Sequence, residues 1–191
     1  MVYRIRRLAC LAILTLGAVG LTSVPGSADA SLVYAVQVGA NSPAMDDGDR
    51  WPELGASFQL RGGYALPIPF FDLEIEMLVG GQLFRGDTSR DRLPMLWDAR
   101  VGARGGASWI LYPQGFMHVG YGRAFGYPHG APQGVIADIG AAFDLTAIPY
   151  LRIGIFGAYN HMFFADTVET SGGDRDLQWF SFGIQGAFVD D

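Results

Sequence analysis

Residues 179–188 read WFSFGIQGAF, and this stretch alternates apolar side chains with small or polar ones at a period of two. Successive side chains of an extended strand point to opposite faces. One face of the stretch therefore carries Phe180, Phe182, Ile184 and Phe188, and the other carries Ser181, Gly183, Gln185 and Ala187. The pattern predicts a β-strand with one strongly apolar face.

The same alternation recurs upstream, and it predicts eight strands in all, at 32–40, 54–66, 70–84, 95–110, 115–127, 134–146, 150–164 and 177–189. The connections between them differ in length. Those at 41–53, 85–94 and 165–176 are long, that at 128–133 is intermediate, and those at 67–69, 111–114 and 147–149 are short and contain proline. Proline fits a turn and cannot donate to a sheet ladder. Long loops on one side and short turns on the other are typical of an outer-membrane barrel.

Charged side chains fall on the face opposite the apolar one, as where Asp72, Glu74 and Glu76 alternate with Leu73 and Ile75. A polar interior inside an apolar exterior is the inverse of a soluble barrel. It predicts an all-β, eight-stranded, antiparallel up-and-down transmembrane β-barrel. The charged side chains predicted to face the interior are Arg61, Asp72, Glu74, Glu76, Asp98, Arg100, Arg104, Asp138, Asp144 and Arg152.

Six of these interior residues are acidic and four are arginine, so most of the charges have a potential partner. The hairpin registers predict Arg61 near Glu74 or Glu76, Glu74 or Glu76 near Arg104, and Asp144 near Arg152. An eight-stranded barrel is just wide enough to be filled by side chains, and unpaired charges there are costly. We therefore expect a plug of ion pairs, with a narrow ion path or a gate that switches ion-pair partners as the alternative.

The leader at 1–30 has the features of a cleaved signal peptide. Its positive start precedes an apolar run at 8–21, and Ala28-Asp29-Ala30 forms a cleavage site before Ser31. We predict two parts, a signal peptide at 1–30 and a barrel domain at 31–191. The mature part contains no cysteine and carries ten arginines against eighteen acidic residues. This excludes disulfides and disfavours nucleic acid as a partner.

Several aromatic residues lie near the predicted strand ends, where interfacial girdles form in membrane barrels. The predicted girdle consists of Trp97, Trp109, Trp179, Tyr64, Tyr112, Tyr121, Tyr127 and Tyr150.

With its leader, eight strands, proline turns and inward charges, the chain resembles the small outer-membrane barrels of the OmpA/OmpX type over 31–191. The end of the chain also resembles the C-terminal signal read by the barrel-assembly machinery, carried here by Phe180, Phe182, Ile184 and Phe188. It departs from that signal by continuing to Val189, Asp190 and Asp191. The resemblance implies a place in the outer membrane with periplasmic termini. The expected partners are membrane lipid, lipopolysaccharide and the barrel-assembly machinery.

A structural or loop-mediated interaction role is the expected function, and the surface ligand is left open. A transport barrel for small solutes or apolar molecules is the alternative, and a lipid A-modifying enzyme is a third possibility. His118 could face Ser108 with Asp98 further away, but this loose spacing predicts no catalytic residue. No cofactor or specific metal site is predicted, because the acidic stretch at 46–49 has oxygen ligands suited to calcium but lacks EF-hand spacing. Whether the acidic loops bind divalent cations that bridge to lipopolysaccharide phosphates is left open. The rival fold is a soluble lipocalin-like barrel.

Overall fold

The computed structural model describes residues 31–44, 53–68, 71–85, 95–107, 111–125, 133–148, 150–164 and 176–190. The predicted signal peptide, most of the long connections, Ser108, Trp109 and Tyr127 lie outside these residues. Within the described part, no helix has the length and apolar character needed to cross a bilayer.

Eight antiparallel strands form one closed barrel in chain order, with the first strand paired to the last. They are β1 (Ser31–Pro43), β2 (Glu53–Ile68), β3 (Phe71–Arg85), β4 (Met95–Ala107), β5 (Leu111–Phe125), β6 (Gln133–Ile148), β7 (Leu151–Phe164) and β8 (Leu177–Asp190). Closure leaves no strand edge exposed to lipid, where unpaired backbone groups would be costly. The predicted fold class is confirmed.

The barrel has two different ends. We call the end with the short connections 69–70, 108–110 and 149–150 the turn end, and it also carries Ser31 and Asp190. The loop end carries the connections 44–52, 86–94, 126–132 and 165–176.

The fifth strand begins earlier than the proline pattern predicts. Pro113 lies inside β5, opposite Phe143 of β6, although the sequence places it in a turn. On the other side of β5, the pairing with β4 ends at Gln114. Proline is tolerated at position 113 because no residue of β4 is paired with it.

Most of the outward side chains on every strand are apolar. Phe180, Phe182, Ile184 and Phe188 of β8 are each about half exposed, whereas Ser181 and Gln185 between them are buried. An outward apolar band is the surface that a bilayer covers. The lipocalin-like alternative is wrong, because it requires the β8 aromatic residues inside and the acidic residues of β3 in water.

The aromatic girdle is partly as predicted. Trp97, Tyr121 and Tyr150 are exposed on the outer face, and Tyr64 is half-buried. Trp179 and Tyr112 are wrongly assigned to the girdle. Trp179 has the same parity as the inward-facing Ser181 of β8, and Tyr112 has the same parity as the inward-facing Gln114 of β5. Both side chains are buried in the lumen.

Side chains fill the lumen in layers. At the loop end lies an apolar cluster, which we call the apolar cap: Phe84, Leu96, Ala124, Ile136, Met162, Leu177 and Trp179. A second apolar cluster lines one wall: Val33, Ala35, Ala65, Ala187 and Val189. Between the cap and the turn end lie most of the charged side chains.

Candidate functional site: the charged lumen

All ten charged residues predicted to face the interior lie in the lumen. Eight of them are buried, and Asp72 and Arg152 are half-buried. We call these ten residues together with His118 the charge network. The four apolar residues of the predicted C-terminal signal lie on the outer face of β8.

The centre of the charge network is a row of facing residues on neighbouring strands. The register sets Glu76 beside Gly102, Gly102 beside His118, and His118 beside Asp138. Nε2 of His118 lies 2.7 Å from Oε1 of Glu76, and its Nδ1 lies 2.7 Å from Oδ1 of Asp138. The imidazole ring thus joins two carboxylates that come from different strands.

Gly102 provides the space for this bridge. A Cβ at Gly102 would collide with the backbone oxygen of Met117 and with the ring of His118. Glycine allows such close approach because it has no side chain. The absence of a side chain on β4 therefore lets the His118 ring reach Glu76 on β3.

On one side of His118 lies the Arg100 half of the network. Nε and Nη2 of Arg100 donate to the two oxygens of Asp98, at 2.8 and 3.1 Å. Its Nη1 donates to Asp138 at 2.5 Å and to Asn160 at 2.8 Å. Asp98 lies two residues before Arg100 on the same face of β4, so the strand itself presents the carboxylate to the guanidinium fork. Such two-point pairing is the strongest form of charged hydrogen bond in proteins.

On the other side lies the Arg61 half. Nη1 of Arg61 is 2.9 Å from Oε2 of Glu76 and 3.7 Å from Oε2 of Glu74. Nε of Arg104 donates to Glu76 at 3.2 Å, and its Nη1 donates to Gln114 at 2.9 Å. Several buried atoms of this half have no hydrogen-bond partner: Arg61 Nε and Nη1, Arg104 Nη2, Glu74 Oε2, Glu76 Oε2 and Gln114 Nε2.

The network reaches the turn end at Arg152. Its Nη1 donates to Glu74 at 3.1 Å, and its Nη2 lies 3.7 Å from Asp72, which also accepts a hydrogen bond from the Tyr112 hydroxyl. The Arg152 guanidinium lies 4.3 Å from the centre of the Tyr112 ring. The side chains of Arg152 and Asp72 are 16% and 19% exposed, against 1–2% for Arg61, Glu74, Glu76 and Arg104.

Asp144 is not paired with Arg152, although the sequence predicts these two as neighbours. The register sets Gly154 opposite Asp144 and Thr146 opposite Arg152, and Arg152 turns across the lumen to Glu74. Asp144 instead accepts a hydrogen bond from Gln185 at 2.6 Å, and its other oxygen has no partner.

Amide side chains complete the polar interior. The sequence places Gln185 on the face opposite the apolar one, but the predicted interior residues do not include Gln37 or Asn41. Gln37 donates to Gln185 at 2.7 Å, and Asn41 donates to Gln82 at 2.8 Å. Their signal was available, because they share the inward parity of their strands. A cavity of about 10 Å³ lies among Gln37, Gln59, Leu78, Arg100, Phe116, Asp138, Phe156, Ala158, Asn160 and Ser181. Its volume suits about one water molecule.

The contacts of His118 differ from those of the catalytic histidine in a serine hydrolase. Both of its ring nitrogens face carboxylates, whereas a serine hydrolase needs one of them beside the nucleophile. Among the described residues, no three His, Cys, Asp or Glu side chains are grouped so that they could hold a metal ion.

No protein-family model matches the sequence, and no curated protein sequence matches it. Solved structures do match the fold. Neisserial surface protein A aligns with a TM-score of 0.53 at 11% identity, over 84% of this chain and 97% of that one. The chain has the fold of the small eight-stranded outer-membrane β-barrels. Ail, the attachment invasion locus protein of Yersinia pestis in complex with the heparin analogue sucrose octasulfate, aligns with a TM-score of 0.51 at 13% identity. That alignment covers 83% of this chain and 99% of Ail.

Proposed function

We propose that the protein is an integral outer-membrane barrel with a structural or loop-mediated interaction role, and that its lumen is plugged by Asp/Glu–Arg pairs. One observation supports this most directly. The buried charges contact one another across the lumen, from Arg152 and Glu74 at the turn end to Asp98 and Arg100 deeper inside. Arrangements of this kind fill a small barrel and oppose the passage of solutes.

The two ends of the barrel support an orientation. Short turns face the periplasm in barrels of this architecture, and long loops face outward. We therefore place the turn end and both termini in the periplasm and the loop end at the cell surface. The apolar belt would contact membrane lipid and lipopolysaccharide. The outward residues of β8, from Phe180 to Phe188, would be read by the barrel-assembly machinery.

The charge of the loops bears on the kind of surface ligand. By sequence, the loop-end connections carry nine acidic residues and four arginines. The sulfated heparin analogue is a ligand of Ail, and an acidic surface does not favour a polyanion. We expect a cationic or neutral surface partner for these loops.

A narrow pore is the second candidate, and one feature favours it. The Arg61 half contains unpartnered donors and acceptors next to the partly exposed Asp72 and Arg152, as a water-lined path would. A lipid A-modifying enzyme has the weakest support, because His118 is held by Glu76 and Asp138.

Conductance of the refolded mature protein tests this proposal. A heat-modifiable shift on a gel first establishes that the barrel has folded. We expect insertion into a planar bilayer without steady conductance. Steady conductance that changes in Arg104→Ala or Glu76→Ala would instead support transport, and a folded protein that stays in solution would exclude the membrane role.

A further inference from the structure

The apolar cap lies in the lumen at the loop end. Its seven side chains come from six consecutive strands, β3 to β8, and each is at most 2% exposed. The rings of Phe84 and Trp179 meet edge to face, with 5.7 Å between their centroids. Leu96 faces Ala124 in the register, and Ile136, Met162 and Leu177 face one another across β6, β7 and β8.

The cap occupies the rim of the barrel. Phe84, Leu96 and Ala124 are each one residue from the loop-end limit of their strands, and Leu177 is the first residue of β8. Directly beneath them begin polar side chains, starting with Gln82, which is bonded to Asn41. The lumen therefore changes from apolar to polar within two residues along β3.

The turn end lacks an equivalent seal in the described residues. The apolar wall there comes from β1, β2 and β8 alone, whereas Asp72 and Arg152 on β3 and β7 are partly exposed. Water at the turn end thus reaches Asp72 and Arg152 of the charge network, whereas the cap side chains at the loop end are almost fully buried.

An apolar constriction excludes ions because water leaves it, whereas charged side chains attract ions and water. We infer that, in a lumen that the charge network fills against larger solutes, the apolar cap is the barrier to ions, and that the network exchanges with water only through the turn end. This inference rests on the proposed membrane barrel. The inference adds that the interior exchanges with water from one end only, and it assigns the ion barrier to residues that carry no charge.

Conductance of matched variants separates the two barriers. The cap variant combines Leu96→Ser with Trp179→Ala, and the network variant is Arg104→Gln. Trp97→Ala is the control, because Trp97 lies near the same end of the barrel but faces outward and is 52% exposed. We expect steady conductance from the cap variant, and none from the network variant or the control.

Each other outcome has a distinct meaning. The inference is overturned if a folded cap variant shows no conductance or if the Arg104→Gln variant conducts. Steady conductance by the unaltered protein counts against the proposed plugged barrel itself. The heat-modifiable gel shift is recorded for every variant, so that an absence of conductance is interpreted only for folded protein.

A second measurement keeps Leu96 and Trp179 in place and covers the case in which the cap variant fails to fold. The mature chain has no cysteine, so Asp72→Cys and Ala124→Cys each give a single labelling site. A charged thiol reagent is applied to one side of sealed vesicles, and Ser171→Cys in a loop-end connection reports the orientation. We expect Cys at position 72 to react from the turn side only, and Cys at position 124 to be protected from both. Reaction at position 72 from the loop side would overturn the inference.

Discussion

Arg100 and Arg61 are both buried in the lumen, at 2% and 4% exposure, yet their surroundings differ. Every side-chain nitrogen of Arg100 donates to an oxygen of Asp98, Asp138 or Asn160. Nε and Nη1 of Arg61 have no hydrogen-bond partner in good geometry, although Nη1 is close to Glu76. This comparison shows that burial alone does not measure what an arginine contributes to stability. That contribution depends on the geometry of its partners.

The difference has a local origin in the strands. Asp98 stands two residues from Arg100 on the same face of β4, so one strand presents the acid and the base together. Arg61 has Gln59 and Gly63 at the corresponding positions and depends on acids of β3. Glu76 is moreover shared by Arg61, Arg104 and His118.

The largest effect is expected from Arg100→Ala. The substitution leaves Asp98 without its two-point partner and weakens the pairing of Asp138, and both carboxylates are buried. Breaking a buried pair by removing one member costs about 3–5 kcal/mol of unfolding free energy. Urea unfolding in lipid vesicles, followed by tryptophan fluorescence, measures the loss. A loss below that of Arg61→Ala would contradict the comparison.

A smaller loss is expected from Arg61→Ala. Glu76 keeps Arg104 and His118, and Glu74 keeps Arg152, so neither carboxylate is left without a partner. We expect a loss of about 1.5–3 kcal/mol, the range for removal of a hydrogen-bonding partner of a charged group. The same urea experiment gives this value. Equal losses for the two arginines would show that the unpartnered nitrogens of Arg61 are satisfied in the membrane.

Gly102→Ala tests the link between the two halves. The added Cβ would displace the His118 ring or the strand that carries it, and thereby weaken the bridge from Glu76 to Asp138. Overpacking of this kind costs about 1 kcal/mol or somewhat more. Gly157→Ala is the matched control, because a Cβ there points outward and has nothing within 4 Å. Similar unfolding midpoints for the two variants would show that the space over Gly102 is not needed.

The alternation of apolar and polar residues was sufficient to predict the barrel, because only one parity of each strand can face lipid. The same parity could have excluded Trp179 and Tyr112 from the girdle, since both fall on the inward face of their strands. Aromatic character near a strand end does not by itself place a side chain in the girdle. In this barrel the parity of a residue predicts better than its aromatic character whether the side chain faces the lumen or the outer surface.

The partners of the interior charges were harder to predict than their face. Hairpin register gives neighbours on adjacent strands, but a long side chain can cross the lumen. Arg152 of β7 reaches Glu74 of β3, 78 residues away in the chain. The sequence suggests that His118 could face Ser108, whereas the His118 bridge runs to Glu76 on β3, beyond the adjacent strand β4. The first pair depends on closure of the barrel and the second on the space over Gly102, and hairpin register describes neither.

The smallest effect is expected from Arg123→Ala, which removes an arginine from the outer face. Arg123 is exposed near the loop end of β5, and its guanidinium lies 5.2 Å from the centre of the Phe125 ring. An exposed cation over an aromatic ring contributes about 0.5–1 kcal/mol at most, so the loss should be well below that of Arg61→Ala. The measurement uses phosphatidylcholine vesicles, so that pairing of Arg123 with anionic lipid does not contribute to the measured loss of unfolding free energy. A loss as large as that of Arg100→Ala would mean that the cost follows the residue type rather than the partners that the lumen provides.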